Sequence, residues 1–571
     1  MSRRRQSRAG RLAASVVLTV LAGLCAACTA SSSGGSGDQG GGAVADGGVL
    51  RIATSSGIDS LNPFVGINQD DFSVWNYIYP HLVEYDTSSA TYDYTGSFAT
   101  KWSISKDGTT VTFHTQPNAK WSDGQPLNAQ DVAWTFQLLM NYQHGVLSGV
   151  AQTVKFLKSV HVSDPNTVVF TYAKPSGTVL YDLGTTPILP PQTWQQYATG
   201  NGKALKTFAN EPADKPLVSG GPFMLTDYRK DDVALFQRNP NWWGPTPHID
   251  GFGLKYFSSE DAMVTALKSD QVDAIEQLPP TTVESLKSQE LHVYEGPALS
   301  LRDLIINVNP KKSQHRELLN PKVREALEYA TDRNAIVGTA WVGHASPGST
   351  IIPAGSATGG IQWHNPNVHP LPLDLDKANQ ILDSLGFHRG SDGIRVADGH
   401  PMSYDVVFAK DEAGAGTRAF QILQQNFRKI GVQINQRMMD DSAAWNAIYC
   451  GGNCQYRNFD LAMWDWFPAA DPDFMLGAMT CAQWGNWNDS GYCNPAYDRL
   501  YAQQRHTTNL QQRKAIVYKM QQMVYDARPY IILTYDSRLD AWSPKWTGFV
   551  ESVQGMFNNF STQSLLSVHQ S

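Results

Sequence analysis

The chain has 571 residues, of which 42% are hydrophobic and only 17% are charged, and its formal net charge is -7. This balance excludes an intrinsically disordered protein, a coiled coil, a polytopic membrane protein and a basic nucleic-acid binder. The length predicts two to four domains with large cores, and the 16 Trp, 23 Tyr and 22 Phe favour aromatic-lined binding surfaces.

The first 27 residues have the pattern of an export signal. Five arginines between Arg3 and Arg11 precede an uncharged apolar run over residues 12–27, which is short for a membrane-spanning helix. Residues 23–28, Gly-Leu-Cys-Ala-Ala-Cys, resemble a bacterial lipoprotein box with Cys28 as the lipidated residue, although Cys25 stands where leucine is usual. An ordinary secretory signal or a short anchor helix is the alternative.

Residues 28–48 form the predicted attachment segment. After the lipidated Cys28 the segment consists almost entirely of Ser, Gly, Ala and Asp, which cannot form a core and makes a flexible tether. Removal of the arginine-rich signal leaves a body more acidic than the whole chain, so we expect no nucleic-acid partner.

Strand and helix patterns alternate along the body and predict an α/β or α+β fold without internal repeats. The predicted strands are 48–53, 111–115, 253–257, 432–438 and 530–535, and the predicted helices are 128–142, 259–267, a helix opening at Asn320-Pro321, 417–430 and 511–525.

Four cysteines lie in the body, at Cys450, Cys454, Cys481 and Cys493. An even number in an oxidising compartment predicts two disulfides, and of the three possible pairings we favour the nearest neighbours, Cys450–Cys454 and Cys481–Cys493. A zinc site is the alternative, but neither a Cys-x2-Cys motif nor clustered histidines support it. We therefore expect no metal and no cofactor.

The sequence shows no recognisable catalytic motif, because it has no phosphate loop, no Gly-x-Gly-x-x-Gly after a strand, no His-Glu-x-x-His and no Gly-x-Ser-x-Gly. Of two carboxylate pairs, Asp440-Asp441 is typical of a solvated turn or helix cap. The second, Asp471-Pro-Asp473, follows a strand-like run that brings Trp464 and Trp466 beside acidic groups. Aromatic rings next to a few polar groups are typical of a small-molecule cleft.

Sequence blocks along the body carry a resemblance to a known family. The longest are residues 102–114 (Trp-Ser-Ile-Ser-Lys-Asp-Gly-Thr-Thr-Val-Thr-Phe-His) and 120–131 (Lys-Trp-Ser-Asp-Gly-Gln-Pro-Leu-Asn-Ala-Gln-Asp), and shorter ones lie at 219–223, 238–244, 323–333, 376–382 and 459–461. In this order, over about residues 49–550, they resemble the family-5 (dipeptide/oligopeptide type) solute-binding proteins of ABC importers.

The resemblance implies an α/β, periplasmic-binding-protein-like fold of two lobes joined by two crossing strands, near Leu301–Asn309 and Tyr530–Trp542. Lobe one would comprise residues 49–305 and 536–571, with an extra subdomain at about 83–210, and lobe two would comprise residues 306–535. A solute that contacts both lobes only in the closed form shifts the equilibrium toward closure.

The resemblance also implies solute contacts. Lys410, at the end of a lobe-two strand, matches the cation that pairs with a peptide carboxylate in dipeptide-type relatives. Those relatives place an Asp three residues after a Trp, whereas here Phe467 and Ala469 follow Trp464 and Trp466 at that spacing.

The missing acid leaves two interpretations. Either Asp465, Asp471 or Asp473 replaces it beside the two tryptophans, or the solute lacks a free α-amine. Arg302, in the first crossing, either faces the cleft or pairs with a surface acid. The predicted site is completed by residues where the first strand and the following loop approach the cleft, Ser55, Ser56 and Asn68.

The leading hypothesis is a lipid-anchored receptor on the extracytoplasmic face of a bacterial membrane. It would be monomeric, without enzymatic activity, and would deliver peptides to the transmembrane subunits of an ABC permease. The same fold with an oligosaccharide or another non-peptide solute is the alternative, because aromatic faces stack on sugar rings. A secreted hydrolase with two carboxylates in a Trp-lined cleft is a remote alternative.

Overall fold

The computed structural model describes residues 46–66, 68–86, 90–93, 96–184, 186–410, 413–449, 457–551 and 562–571. The body, from Val44 to Ser571, is one compact unit. The predicted signal, Cys28, Cys450 and Cys454 lie outside the described residues. Within the described ranges, no helix combines the length and the apolar character needed to cross a membrane.

The strands are distributed along the whole body. In chain order they are β1 Val49–Thr54, β2 Glu84–Asp86, β3 Thr91–Asp93, β4 Ala99–Ile104, β5 Thr110–Thr115, β6 Leu157–Asp164, β7 Thr167–Tyr172, β8 Phe223–Arg229, β9 Val233–Arg238, β10 Gly251–Tyr256, β11 Ala274–Ile275, β12 His292–Ile306, β13 Ala345–Pro347, β14 Ala357–Thr358, β15 Ile361–Gln362, β16 Val396–Ala397, β17 His400–Pro401, β18 Ser403–Ala409, β19 Gln433–Met439, β20 Leu461–Trp466, β21 Tyr530–Trp542, β22 Trp546–Thr547 and β23 His569–Gln570.

The helices lie between these strands. In chain order they are α1 Gln69–Ile78, α2 Ala129–Tyr142, α3 Val179–Gly184, α4 Pro191–Trp194, α5 Lys203–Thr207, α6 Glu260–Lys268, α7 Val283–Lys287, α8 Pro321–Tyr329, α9 Arg333–Ala340, α10 Leu375–Ser384, α11 Ala415–Lys429, α12 Asp441–Ile448, α13 Asp473–Ala478, α14 Pro495–Arg505, α15 Leu510–Ala527 and α16 Gln563–Ser567. Short 3₁₀ helices occur at Ala151–Val154, Gln195–Tyr197, Pro280–Thr282, Arg316–Leu319 and Cys481–Gln483.

The predicted elements are confirmed to within a few residues at most ends, and the α/β class is confirmed with them. The Asn128 side chain accepts a hydrogen bond from the Gln130 amide at 2.8 Å and so caps α2. Pro321 opens α8 directly after Asn320, and the turn between β4 and β5 closes at Gly108, whose φ is +69°. Such signals act within one turn, so their spacing in the sequence is enough to predict them.

Most of the longer strands belong to one sheet, with the order β19-β18-β20-β12-β21-β11-β1-β10-β9-β8. β12 and β21 occupy its middle and pair antiparallel over nearly their whole length, from His292 opposite Trp542 to Ile305 opposite Tyr530. The register shifts between Gly296 and Ser300 and again between Arg302 and Asp303. On one side of the first shift β21 pairs with β11, and on the other side β12 pairs with β20. These two strands therefore join the two halves of the sheet.

Hydrophobic side chains cover both faces of the half formed by β18, β20 and β12. Leu304, Met463 and Phe408 belong to the buried cluster on one face, together with residues of α8 and α11. Leu301 and Ala462 belong to the cluster on the other face, together with residues of α13 and α15. This alternation along each strand is expected for a sheet that is buried on both faces.

A separate four-stranded antiparallel sheet, of order β4-β5-β7-β6, lies in the segment predicted as the extra subdomain. α2 packs on it, with Phe136 and Phe170 edge to face at 4.8 Å between ring centroids. The segment also contacts the later half of the chain, since the Tyr85 hydroxyl donates to the Ala357 carbonyl at 2.6 Å.

The predicted disulfide between Cys481 and Cys493 is confirmed. It links the 3₁₀ helix after α13 to the residues that precede α14, and the Cys481 amide also donates to Asp498 of α14 at 3.1 Å. The disulfide therefore fixes the start of α14 beside α13. The pairing predicted for Cys450 and Cys454 lies outside the described residues.

Asp471 and Asp473, both proposed as solute contacts, form buried ion pairs. Both Asp471 oxygens accept from Arg513 at 2.7 Å, and Asp473 pairs with Arg505 at 2.5 Å. Arg505 also pairs, at 2.7 Å, with Asp182 of the extra-subdomain segment. All five side chains are nearly inaccessible to solvent. The structure thus gives the two aspartates a packing role, because a buried carboxylate needs a fixed cationic partner.

Arg513→Met tests this packing role. The variant leaves the Asp471 carboxylate buried without its cation, so we expect unfolding free energy to fall by about 3–5 kcal/mol. Guanidinium denaturation at pH 7 measures the change. Arg499→Met removes an exposed arginine from α14 and should change stability by less than about 0.5 kcal/mol. Equal losses in the two variants would contradict a structural ion pair.

Candidate functional site

The candidate site lies at the carboxyl end of β20. β20 pairs antiparallel with β12, which places Asp465 opposite Arg302. It pairs parallel with β18, with Phe408 opposite Met463, and Lys410 directly follows the last residue of β18, Ala409. Directly opposed residues of a pleated sheet point to the same face, so Asp465 and Arg302 share one face. We call these two residues, together with Lys410 at the neighbouring strand end, the charged row.

Arg302 is held between two acids in this row. Its Nη2 lies 3.6 Å from Asp465 Oδ2, and its Nε donates to Asp536 Oδ2 at 3.4 Å. Its guanidinium also stands 5.4 Å from the ring centre of Trp341. The Arg302 and Asp536 side chains are only 14% and 13% exposed. Of the two interpretations of Arg302, the structure thus shows ion pairing, with acids that are mostly covered.

The charges around Arg302 do not balance. Burial raises the pKa values of Asp465 and Asp536, and Arg302 counteracts the shift at both. A third acid, Glu260 of α6, approaches from the other half of the sheet. Burial raises its pKa too, and Arg418 and Arg302 oppose the shift. Acidic groups outnumber the cations here, so a solute cation would be stabilised.

Lys410 lies in a different environment. Its Nζ donates to Asp440 Oδ1 at 2.6 Å, and the two side chains are 62% and 78% exposed. An exposed ion pair contributes little to stability, about 0–1 kcal/mol. Asp440 can therefore give way to a solute carboxylate at low cost.

Trp464 and Trp466 point to the opposite face from Asp465, because side chains alternate along a strand. There they join an aromatic cluster whose neighbouring ring centroids lie between 4.4 and 6.5 Å apart. The cluster consists of Trp445, Tyr449, Trp464, Trp466, Phe474 and Trp487. Trp466 is buried, whereas the other five rings are partly exposed. The cluster therefore offers aromatic surface to a solute.

Two buried acids lie beneath the aromatic cluster. Asp303 is opposite Trp464 in the sheet register and is fully buried. Asp489 accepts a hydrogen bond from the Tyr530 hydroxyl. Burial raises the pKa of Asp489 to about 7 and that of Asp303 well above its usual range. Both acids are therefore largely neutral under mildly acidic conditions.

The predicted contacts from the first half of the chain are held by local hydrogen bonds. Ser55 and Ser56 follow β1 and are half-buried, and the Ser56 amide donates to Thr54 Oγ1 at 3.1 Å. Asn68 precedes α1, and its side chain donates to the Gly57 carbonyl at 3.0 Å. Asn68 thus fixes the loop that carries the two serines. Solute contact by these three residues stays a prediction.

Several residues of the site are not among those predicted from the sequence. Asp303 and Asp536 join it through the register of β12 and β21, and Trp487 and Tyr449 through tertiary packing. Trp445 joins it from the second half of α12. Aromatic identity is the only sequence signal that these ring residues share.

The comparisons with known proteins show what kind of protein carries this site. Residues 93–487 match the family described as bacterial extracellular solute-binding proteins, family 5 Middle. The chain belongs to this family. It is a solute-binding receptor and not an enzyme, so the hydrolase alternative is dropped.

Individual relatives agree with this assignment. The chain is 25% identical over 515 residues to the dipeptide-binding protein of Escherichia coli (strain K12), covering 85% of this chain and 89% of that protein. It is similar to the oligopeptide-binding protein AppA of Bacillus subtilis in complex with a nonapeptide (TM-score 0.79, 19% identity, 93% and 100% coverage). It is also similar to NikZ of Campylobacter jejuni in complex with Ni(L-His) (TM-score 0.76, 22% identity, 91% and 99% coverage). These structures confirm the two-lobed fold.

The neutral state of Asp489 generates a pH prediction. Its pKa is about 7 in the folded protein against 3.8 ordinarily, so between these values the folded chain binds a proton that the unfolded chain has released. Unfolding free energy should therefore fall as pH rises from about 4 to 7, by up to about 1.4 kcal/mol per unit from this group. Asp489→Asn removes this contribution and should flatten the profile.

Urea denaturation between pH 4.5 and 7.5 measures the two slopes. Asp214→Asn, at an exposed position, is the matched control and should keep the slope of the parent protein. If unfolding free energy falls with pH as steeply in Asp489→Asn as in the parent protein, then Asp489 is already ionised throughout this range.

Proposed function

We propose that this family-5 receptor is a monomer held by a lipid on Cys28 at the extracytoplasmic face of the membrane. It captures peptides between its lobes and delivers them to the transmembrane subunits of an ABC permease. The arginine-rich signal, the lipoprotein box and the tether support the anchor, and the family supports capture. The observation that carries the peptide assignment is the pair of surfaces at the end of β20.

The charged row fits the two ends of a peptide. The exposed Lys410 supplies a cation for the carboxylate. The acids that share Arg302, Asp465 and Asp536, supply acceptors for an ammonium group. Charge-assisted hydrogen bonds of this type are roughly twice as strong as neutral ones. Asp465 therefore takes the place of the acid that is missing three residues after Trp464.

The aromatic cluster fits apolar side chains of the same solute. It lies on the face of β20 opposite to Asp465, so a solute that contacts both surfaces must extend around the strand end. Each face of a sheet carries side chains about 5 Å deep, and an extended dipeptide spans about 7 Å. A solute longer than a dipeptide reaches both surfaces more readily, as the nonapeptide-bound relative also suggests.

Lobe closure follows from contacts made on both sides of the cleft. Glu260, on α6, approaches Gly414 of the other half of the chain. A Cβ atom added to Gly414 would lie 3.2 Å from the Glu260 carboxylate. A solute cation near Arg302 would also interact with Glu260. Such a solute contacts both halves of the protein only when the halves have closed around it. Its binding therefore favours the closed state.

A non-peptide solute is the second candidate. The aromatic cluster favours it, because partly exposed tryptophan rings stack on sugar rings or planar ligands as well as on apolar side chains. The relative bound to Ni(L-His) shows that this fold also accommodates a metal chelate. The two candidates differ in whether a free amine and a carboxylate are required.

Native mass spectrometry of the full chain, purified from its own cells and then exposed to peptide and oligosaccharide pools, tests the proposal. We expect retention of peptides of three or more residues, and loss of retention when both ends are blocked by acetylation and amidation. Retention of oligosaccharides alone, or equal retention of blocked peptides, would contradict a peptide receptor of this design.

Trp464→Ala is expected to weaken binding of the retained solute at least about tenfold. The loss of one aromatic contact and its buried area exceeds about 1.4 kcal/mol, which corresponds to that factor. Isothermal titration calorimetry measures it. Trp242→Ala removes a half-buried tryptophan from the other half of the chain and should leave affinity unchanged. Equal affinity in all three proteins would remove the aromatic cluster from the site.

Lys410→Ala is expected to weaken the binding of peptides with a free carboxylate about fivefold to thirtyfold. The reason is that a charge pair in a partly covered position contributes about 1–2 kcal/mol. Peptides amidated at the carboxyl end should bind the variant and the parent equally. Lys377→Ala, at an exposed position of α10, is the control for the loss of one positive charge. An equal effect on free and amidated peptides would exclude carboxylate pairing by Lys410.

A further inference from the structure

Two histidines and a glutamate meet in lobe two, away from the end of β20. His315, Glu317 and His400 each offer one atom that could bind a metal ion, and these three atoms lie within 4.8 Å of one another. His315 and Glu317 flank the start of a 3₁₀ helix, and His400 lies in β17. Tyr404, near the first residue of β18, donates to Glu317 at 2.9 Å. Since Lys410 follows the other end of β18, about 20 Å of strand separates this cluster from the charged row.

Glu317 has an unused acceptor that points into this cluster. Its Oε1 receives the Tyr404 hydroxyl and lies 3.4 Å from His315 Nδ1. Its Oε2 is buried without a hydrogen bond and lies 3.7 Å from His400 Nε2. The Glu317 side chain is 0% exposed, so bulk solvent does not reach this oxygen. A buried carboxylate oxygen without a partner is costly and calls for a ligand.

We propose that His315, Glu317 and His400 bind a divalent transition metal, with Zn²⁺ as the best fit. Zn²⁺ is bound by imidazole nitrogen and carboxylate oxygen at about 2.0–2.2 Å, which sets ligand atoms about 3.4 Å apart in a tetrahedron. His315 Nδ1 lies 3.4 Å from one carboxylate oxygen of Glu317, and His400 Nε2 lies 3.7 Å from the other. The three ligand atoms lie within 4.8 Å of one another, so side-chain adjustments would bring both imidazoles onto an ion held by Glu317.

The surroundings supply the remaining features of a zinc site. His315 Nε2 lies 3.8 Å from Asp460 Oδ2, so metal at Nδ1 leaves Nε2–H to donate to a carboxylate, as second-layer partners of zinc-bound histidines do. Lys312 neutralises Asp460 at 2.6 Å. The His400 side chain is 37% exposed, which leaves a path for the ion and a position for water. Three protein ligands plus water complete four coordination.

A bound ion would link the loop at His315 to the β17 hairpin, and both to β18. The site is independent of the solute cleft and of what the cleft binds.

Zinc titration of the full chain, freed of metal by a chelator and transferred to histidine-free buffer, tests the site. We expect one equivalent of Zn²⁺ to bind to the parent protein, and Co²⁺ in its place to show the visible absorption of a four-coordinate ion. His400→Gln and His315→Gln should abolish both signals. Asp460→Asn should weaken the affinity about tenfold to hundredfold.

His388→Gln, at an exposed histidine, is the matched control and should bind as the parent does. Circular dichroism melting of the metal-free proteins checks that the variants fold. Loss of the signals in folded His400→Gln and His315→Gln supports the site. No binding to the parent, or one equivalent retained in both variants, would overturn the proposal, the latter by placing the ion elsewhere.

Discussion

The antiparallel pairing of β12 with β21 is the interaction on which the rest of the structure depends. It joins the two halves of the main sheet, and its register shift between Gly296 and Ser300 marks the change from one half to the other. Directly beyond that shift β12 pairs on its other edge with β20, which positions Arg302 opposite Asp465 and Asp303 opposite Trp464. Because these two residues are consecutive, one faces the charged row and the other faces the aromatic cluster. The connection between the halves and the candidate site are therefore both built on one strand, β12, through its two ladders.

The acids of this region divide into two groups by their exposure. Asp471 has an arginine that contacts both of its oxygens, and Asp473 shares Arg505 with Asp182. These three side chains are at most 5% exposed, and their ion pairs support packing inside the protein. Asp465 and Asp536 also share one arginine, but the Asp465 side chain is 30% exposed. Exposure, more than proximity to tryptophan, is what distinguishes an acid within reach of a solute.

The sequence predicts local features well and long-range partners poorly. Caps such as Asn128 and turns such as that at Gly108 depend on neighbours one turn away, so their spacing reveals them. Arg513 lies 42 residues from Asp471, and nothing in a local pattern joins them. The histidine cluster escapes prediction for the same reason, since His315 and His400 are brought together only by the packing of β17 against the loop before α8. The resemblance to a family predicts the lobes but not these pairs.

One part of the site is within reach of the sequence. Trp464, Asp465 and Trp466 are adjacent and suggest a single surface, although a strand turns alternate residues to opposite faces. The structure separates them, with Asp465 beside Arg302 and both tryptophans over Asp303. A single strand end therefore presents two surfaces of different chemistry, one charged and one aromatic. In the proposed binding mode, selectivity depends on how a solute passes around that end, because neither surface alone distinguishes a peptide from other charged or aromatic ligands.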